Sequence, residues 1–115
     1  MRFHKEVTLL PSLQRSASGS TEGIPTAVAF FKEANLFLKV AAVEGTSPTL
    51  DVVVETQDPV GETWETLSSF TQATAVGTEL KTIAVNLGYK LAIKYTIGGT
   101  NTPKFTFSVG AVFKV

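Results

Sequence analysis

Apolar and polar side chains alternate along most of this chain. In the segment 104–115, KFTFSVGAVFKV, polar side chains stand at Lys104, Thr106 and Ser108, and apolar ones fall between them. A period of two is typical of a β-strand with one buried face, because successive side chains point to opposite sides of a sheet. The segment therefore predicts a strand whose core-facing row is Phe105, Phe107, Val109, Ala111 and Phe113.

Three further segments, 35–43, 49–57 and 90–97, alternate in the same way and predict half-buried strands. Their inward positions are Leu36, Leu38, Val40, Ala42, Leu50, Val52, Val54, Leu91, Ile93, Tyr95 and Ile97. Weaker strand candidates are the segments 5–10, 26–31, 63–72 and 79–87. The segment 27–40 leaves a short helical turn open as an alternative, because its Ala, Lys and Glu residues tolerate helix.

The chain contains nearly the same phrase twice, EGTSPT at 44–49 and GGTNTP at 98–103. Glycine permits unusual backbone angles and proline fixes φ near about −65°, so both phrases are typical of turns. We expect two β-hairpins of similar design, one in each half of the chain. Further turns are expected at QDPVGE (57–62) and NLGY (86–89), and a loop at SASGSTEGIPT (16–26).

Strand candidates recur about every 8–15 residues with turn signals between them, a spacing typical of sandwiches and barrels. A chain of 115 residues is one domain by size. The sequence therefore predicts an all-β fold, an antiparallel β-sandwich of jelly-roll-like form with an extended N-terminal arm. The arm and its loop are expected over residues 1–23, and the sandwich domain over residues 24–115.

Ten basic and ten acidic residues are scattered along the chain and give a net charge of zero. This distribution provides no basic patch to attract nucleic acid or an anionic membrane, so neither is an expected partner. The absence of cysteine excludes disulfides and thiolate metal sites. The sequence shows no secretory signal and no apolar run of about 18–20 residues, which favours synthesis in the cytoplasm.

Candidate catalytic residues are few. His4 is the only histidine, and since metal and catalytic ligands come in clusters, we expect it to be incidental. The nearby carboxylates Asp51, Glu55, Asp58 and Glu62 are residue types that could perform glycoside chemistry or bind calcium. The alternation instead favours Asp51 and Glu55 as the solvated face of a strand, and Asp58 as a turn residue bonded to its own backbone. We therefore predict no catalytic residue, no metal and no cofactor.

The pieces TQDPVGETW, SSFTQATAVGT, LGYKLAIKYTIGGTNTP and FTFSV follow one another between residues 56 and 109. In this order they resemble a family of small β-rich structural proteins of tailed bacteriophages, and LLPSLQRSASGS resembles the opening of those proteins. The resemblance covers about residues 7–110. DPVG stands where the family has SPDG, so a contact made by that family aspartate does not carry over. The resemblance implies a virion structural protein, with a role in head decoration or between head and tail.

On this basis we predict a capsid decoration (cement) protein that binds the major capsid protein on the capsid exterior. It is expected to form a homotrimer and to have no enzymatic activity. The arm is expected to add a strand to the exposed edge of a neighbouring subunit. The predicted interface consists of arm residues and loop tips, namely Arg2, Phe3, Val7, Leu9, Leu10, Leu13, Arg15, Asp58 and Trp64.

Three alternatives stay open. The first is a tail-tube, neck or baseplate component of the same virion. The second is a carbohydrate-binding module of a host-adhesion apparatus, in which Trp64 stacks on a sugar while the other aromatic residues fill the core. The third, a glycosidase or lyase, is the least favoured, because the chain offers no cluster of catalytic residue types.

Overall fold

The computed structural model describes residues 4–84 and 87–115, and in this part the chain is built of strands, turns and bends. The strands are β1 (His4–Arg15), β2 (Gly19–Ser20), β3 (Thr26–Ala27), β4 (Glu33–Gln57), β5 (Trp64–Ser69), β6 (Gly77–Ile83) and β7 (Lys90–Lys114). Within these residues no helix is long and apolar enough to cross a membrane. Arg2 and Phe3 of the predicted interface, and Asn86 of the predicted turn at 86–89, lie outside the described residues.

Two long strands form the centre of the fold. β4 and β7 contain 25 residues each and pair antiparallel from Glu33 opposite Lys114 to Thr56 opposite Leu91. A straight strand of this length would extend about 80 Å at about 3.3 Å per residue. The longest dimension of the molecule is 47 Å, so both strands bend.

The bend lies where the two copies of the repeated phrase face each other. Thr46 lies opposite Thr100, and the pairing of β4 with β7 shifts register on both sides of Thr46. The side-chain Nδ2 of Asn101 donates to Oγ1 of Thr46 at 2.6 Å. Left-handed backbone angles cluster here, including a φ of 109° at Gly45 and of 121° at Gly99.

Neither copy of the phrase reverses the chain direction, so the prediction of two hairpins is wrong. The segments 44–49 and 98–103 each lie inside one continuous strand and bend it. Glycine and proline interrupt a regular ladder in a bend as they do in a turn. The local sequence pattern therefore could not distinguish a bend within a strand from a hairpin turn.

The bend divides the pairing into two layers of antiparallel strands. In the first layer, residues 104–114 and 33–44 of the long strands lie between β1 and β6. In the second layer, residues 90–98 and 49–57 lie between the short strands β2 and β3 on one side and β5 on the other. The predicted antiparallel β-sandwich is confirmed.

One apolar cluster fills the space between the layers. The row predicted at the end of the chain is entirely buried and consists of Phe105, Phe107, Val109, Ala111 and Phe113. The ring centroids of Tyr95 in the second layer and Phe107 in the first are 5.3 Å apart, so ring contacts cross the bend. Of the other predicted inward positions, Ala42 alone is exposed, because the register shift between Val40 and Ala42 inverts the alternation.

The N-terminal segment follows β7 across both layers. Its first part, β1, pairs with the end of β7 from His4 opposite Lys114 to Arg15 opposite Phe105. The chain then continues through β2 and β3, which pair with the beginning of β7. The predicted arm is thus extended, and its described residues lie at an edge of the chain's own sheet.

Candidate binding surfaces

The strand β1 presents one strongly exposed apolar side chain. Leu13 is 57% exposed, whereas Leu10 is 6% exposed and belongs to the core. Val7 and Leu9 are half-buried and pack against the same core. Among these four predicted interface residues, Leu13 is the one most available to a partner, and the side chain of Leu10 is occupied inside the molecule.

Arg15 connects the end of β1 to the long strand. Its guanidinium donates to the backbone carbonyls of Pro11 at 2.9 Å, of Leu13 at 3.1 Å and of Phe107 at 2.9 Å. The guanidinium carbon also lies 4.7 Å from the ring centroid of Phe107 and 5.6 Å from that of Tyr95. These contacts give Arg15 a structural role that the sequence did not indicate.

Asp58 stands in the turn that joins β4 to β5. Its Oδ1 accepts from the backbone N–H of Val60 at 2.9 Å, and its backbone carbonyl accepts from the N–H of Glu62 at 2.9 Å. The interpretation of Asp58 as a residue bonded to its own turn is therefore confirmed. Its carboxylate stays exposed at the loop tip.

A polar and aromatic group lies on the outer face of the second layer. Trp64 is half-buried and sits opposite Gln57 in the pairing of β4 with β5. Tyr89 donates its hydroxyl to Oε1 of Gln57 at 3.3 Å, and Nζ of Lys90 lies 5.3 Å from the centroid of the Tyr89 ring. An aromatic surface flanked by amide and hydroxyl groups is suited to stacking and hydrogen bonding with a sugar.

Glu55 does not lie on a solvated face, so this prediction is wrong. Its side chain is 5% exposed and its Oε1 has no hydrogen-bond partner among the described residues. The segment between β2 and β3 covers this part of the outer face. There the N–H of Thr21 donates to the carbonyl of Ile93, and Oγ1 of Thr21 accepts from the N–H of Ile93. Tertiary contact of a distant loop, and not the local alternation, decided the burial.

Burial raises the pKa of Glu55 to about 7, and the neighbouring Glu22 carboxyl acts in the same direction. The positive charge of Lys94 opposes this shift. The roles of Glu22 and Lys94 were not predicted, since nothing in the spacing of residues 22, 55 and 94 indicates that they meet. The arrangement can hold a proton near neutral pH.

Neither the histidine nor the carboxylates build a metal centre. Nε2 of His4 lies 4.0 Å from Oε1 of Glu6, and both side chains are largely exposed. Nowhere in residues 4–84 and 87–115 do three or more His, Asp or Glu side chains come together in a group able to hold a metal ion.

An exposed apolar pair lies on the outer face of the first layer. Phe37 of β4 is directly opposite Leu80 of β6, and they are 46% and 56% exposed. On its other side Phe37 faces Gly110 of β7, which has no side chain to cover it. The aromatic residues other than Trp64 were expected in the core. This is wrong for Phe30, which is 68% exposed in the turn after β3, and for Phe37. Its outward position in the alternation of 35–43 was the available signal.

A small open cleft of about 170 Å³ lies beside β6. Leu38, Val40 and Ala73 contribute to its apolar lining. Its acidic group, Glu79, accepts from the backbone N–H of Thr71 at 3.0 and 3.2 Å. The cleft therefore holds a carboxylate that is already paired within the chain.

No protein-family model matches this sequence, and a search of curated proteins finds no match. Solved structures do share the fold. The SPBc2 prophage-derived protein YomS is similar over 100% of this chain and 96% of its own length, with a TM-score of 0.61 and 11% identity. VP2 of infectious bursal disease virus, in a subviral particle, is similar over 99% of this chain and 32% of VP2, with a TM-score of 0.57 and 9% identity. At such identities the likeness establishes the β-sandwich fold.

Proposed function

We propose that this chain is a virion structural protein, and more specifically a capsid decoration protein of a tailed bacteriophage. It binds the major capsid protein on the capsid exterior and stabilises the head without performing catalysis. The observation that carries this proposal is the full-length likeness to the prophage-derived protein YomS, which accounts for 100% of this chain and 96% of the other.

A second likeness supports the same role. The fold of this chain recurs within VP2, a protein whose structure is that of a viral subviral particle. A shell protein needs a rigid body and an adhesive surface, and many identical weak contacts become stable through avidity. The continuous core of this small sandwich supplies the rigid body.

The open side of β1 is the surface that we propose for capsid binding. β1 already pairs with β7 along its length, so a strand exchange with a neighbour would require it to leave its own sheet. Side-chain contact through Leu13 requires no such rearrangement, because this residue is already 57% exposed. The homotrimer expected from the sequence stays a prediction.

Co-assembly with the major capsid protein of the same phage tests this function. The two proteins are expressed together, assembled shells are sedimented, and the chain is expected in the shell fraction at a fixed ratio, with shells that resist higher temperatures. Leu13→Asp should reduce the bound amount at least about tenfold, since it places a charge in an apolar contact. Ile24→Asp, which alters a residue 81% exposed on the other layer, is the matched control.

Absence of the unaltered chain from the shell fraction would contradict the decoration role. Sedimentation with isolated tails instead of heads would favour a tail-tube, neck or baseplate component. If both variants bind as well as the unaltered chain, the capsid contact does not involve Leu13.

The group formed by Trp64, Gln57 and Tyr89 favours one second candidate, a carbohydrate-binding module of a host-adhesion apparatus. Trp64 lies opposite Gln57, whose amide oxygen accepts from the Tyr89 hydroxyl, and a partly exposed indole near hydrogen-bonding groups is suited to stacking on a sugar. Binding of the purified chain to a glycan array, lost in Trp64→Ala and kept in Phe30→Ala, would support this candidate. Phe30 is an exposed aromatic residue outside that group.

A further inference from the structure

The strand β6 is a regular edge with an unpaired side. It pairs with β4 over all seven of its residues, from Ile83 opposite Ala34 to Gly77 opposite Val40, without a register shift. Among the described residues no strand pairs with its other side. An open, regular edge offers backbone N–H and C=O groups to a further strand.

The opposite edge of the same layer is different. β1 contains Pro11 and two register shifts, one of them between Leu10 and Leu13. Proline and bulges prevent a further strand from pairing along an edge. Of the two edges of the first layer, β6 is therefore the one that can accept another strand.

The sequence of β6 is complementary to itself when read in the opposite direction. Its central residues are Thr78, Glu79, Leu80, Lys81 and Thr82. If two copies of β6 pair antiparallel about Leu80, each Glu79 lies opposite the partner's Lys81 and each Thr78 opposite the partner's Thr82. Opposite charges at directly paired positions stabilise a sheet, and like charges destabilise it.

Neighbouring registers lack this complementarity. Pairing about residue 79 would place Glu79 opposite the partner's Glu79, and pairing about residue 81 would place Lys81 opposite the partner's Lys81. A slip of two residues in either direction, the smallest slip that keeps the same faces together, therefore replaces attraction by repulsion. The sequence of β6 therefore favours pairing about Leu80 over these two registers.

We propose that β6 pairs antiparallel with the β6 of a second copy of this chain, with Leu80 opposite Leu80, and joins two first layers into one continuous layer. The two-fold axis stands perpendicular to that layer, so both outer faces point to the same side. This interface goes beyond the virion role proposed above, and either proposal can fail without the other.

The exposed apolar pair supports this register. Leu80 and Phe37 lie directly opposite each other on the outer face and are 56% and 46% exposed. In the paired dimer the two leucines meet at the centre, and one phenylalanine flanks them on each side. Contact among these four side chains removes apolar surface from water, which stabilises the pair.

One member of the proposed ion pair between Glu79 and the partner's Lys81 is already ordered within the single chain. The carboxylate of Glu79 accepts from the backbone N–H and from the hydroxyl of Thr71, at 3.0 to 3.4 Å, and is thereby held in place before pairing. A carboxylate has about four lone-pair sites, so it can still accept from the partner's Lys81. A group that is already ordered loses less entropy when it forms an ion pair.

Sedimentation velocity and native mass measurement over a range of protein concentrations test the proposal. The unaltered chain is expected to form dimers as the concentration rises. Lys81→Glu turns both ion pairs into repulsive Glu–Glu pairs and should weaken self-association at least about tenfold. Lys5→Glu, the same charge change on the exposed side of β1, should leave it unchanged.

A mixing experiment gives the sharpest result. Glu79→Lys alone should also be monomeric, because each of its lysine pairs repels. When Lys81→Glu and Glu79→Lys chains are mixed, every pair becomes a Glu–Lys pair again, and a heterodimer of the two masses is expected. Since Glu79→Lys also loses the contact with Thr71, Leu80→Asp serves as a second disruptive variant that leaves Glu79 intact.

Three results would overturn the interface. They are a monomer at every concentration, a trimer with no even-numbered species, and dimers that persist in both Lys81→Glu and Leu80→Asp. Attachment to capsids is measured separately by co-sedimentation. A dimer that does not bind shells contradicts the virion role alone, and a monomer that binds them contradicts the β6 interface alone.

Discussion

Gly45 packs directly against the backbone of Pro103. A Cβ added at Gly45 would lie 2.8 Å from the Cα of Pro103, closer than Cβ atoms come to other heavy atoms in proteins. The same relationship recurs in reverse, because a Cβ at Gly99 would lie 2.9 Å from the Cα of Pro48. Each copy of the repeated phrase thus supplies a glycine that accommodates the proline of the other copy. This close approach allows the two long strands to bend together.

Gly45→Ala should destabilise the protein by about 2–4 kcal/mol, because it combines a left-handed φ of 109° with contact against backbone atoms. Gly23→Ala is the control, since nothing lies within 4 Å of the added Cβ and its φ is not in the left-handed region. Urea denaturation of both variants measures the difference. Equal stability of the two variants would show that the approach of Gly45 to Pro103 is not required for the bend.

Leu10 and Leu13 lie three residues apart on β1 but differ in exposure, at 6% and 57%. Leu10→Ala should cost about 2–4 kcal/mol of stability, because it leaves a cavity in the core. Leu13→Ala should cost less than about 0.5 kcal/mol, since the side chain is largely in water. Thermal unfolding followed by circular dichroism compares the two. A similar loss in both variants would contradict the placement of β1 on its own sheet.

Arg15→Ala should destabilise the protein by about 1–3 kcal/mol, because three backbone carbonyls lose their donor and two aromatic rings lose a cation. Arg15→Lys should recover less than half of this loss, since an ammonium cannot reproduce the planar arrangement of donors. Lys5→Ala, on an exposed part of the same strand, is the control. Hydrogen exchange of the β1 amides should accelerate in Arg15→Ala, and unchanged exchange would argue against this role.

The buried carboxyl of Glu55 should make stability depend on pH. Its pKa is raised from 4.5 to about 7 in the folded protein, so the folded state keeps a proton that the unfolded chain releases. The contribution of the Glu55 carboxyl to stability is therefore most favourable below about pH 4.5. It falls as the pH rises to about 7, by up to about 3 kcal/mol, and then levels off.

Glu55→Gln should flatten this dependence, because glutamine does not titrate. Denaturation in urea at pH 5, 6, 7 and 8 measures the slope, and Glu65→Gln on the exposed part of β5 should retain it. A slope that is the same in Glu55→Gln as in the unaltered chain would show that another group titrates over this range.

The candidate surfaces were predictable only in part. The hydrogen bond of Asp58 within its own turn could be predicted from its residue type and its position before a proline, because this bond joins residues only a few positions apart. The exposure of Leu13 and the burial of Leu10 were not predicted, because the register shifts around Pro11 interrupt the alternation of β1. The contact of Glu55 with the segment around Glu22 joins residues 33 positions apart, and no local rule places them together.

The sequence by itself determined the all-β class and the buried rows, including Phe105, Phe107 and Phe113, because alternation with a period of two is a local property of each strand. Only the tertiary structure decided that the repeated phrases bend two long strands and do not close two hairpins. It also decided that Glu55 is covered and that β1 occupies an edge of its own sheet. These outcomes depend on which distant segments meet, and glycine and proline permit a bend or a reversal equally well. The pairing of β4 with β7 along their whole length selects the bend.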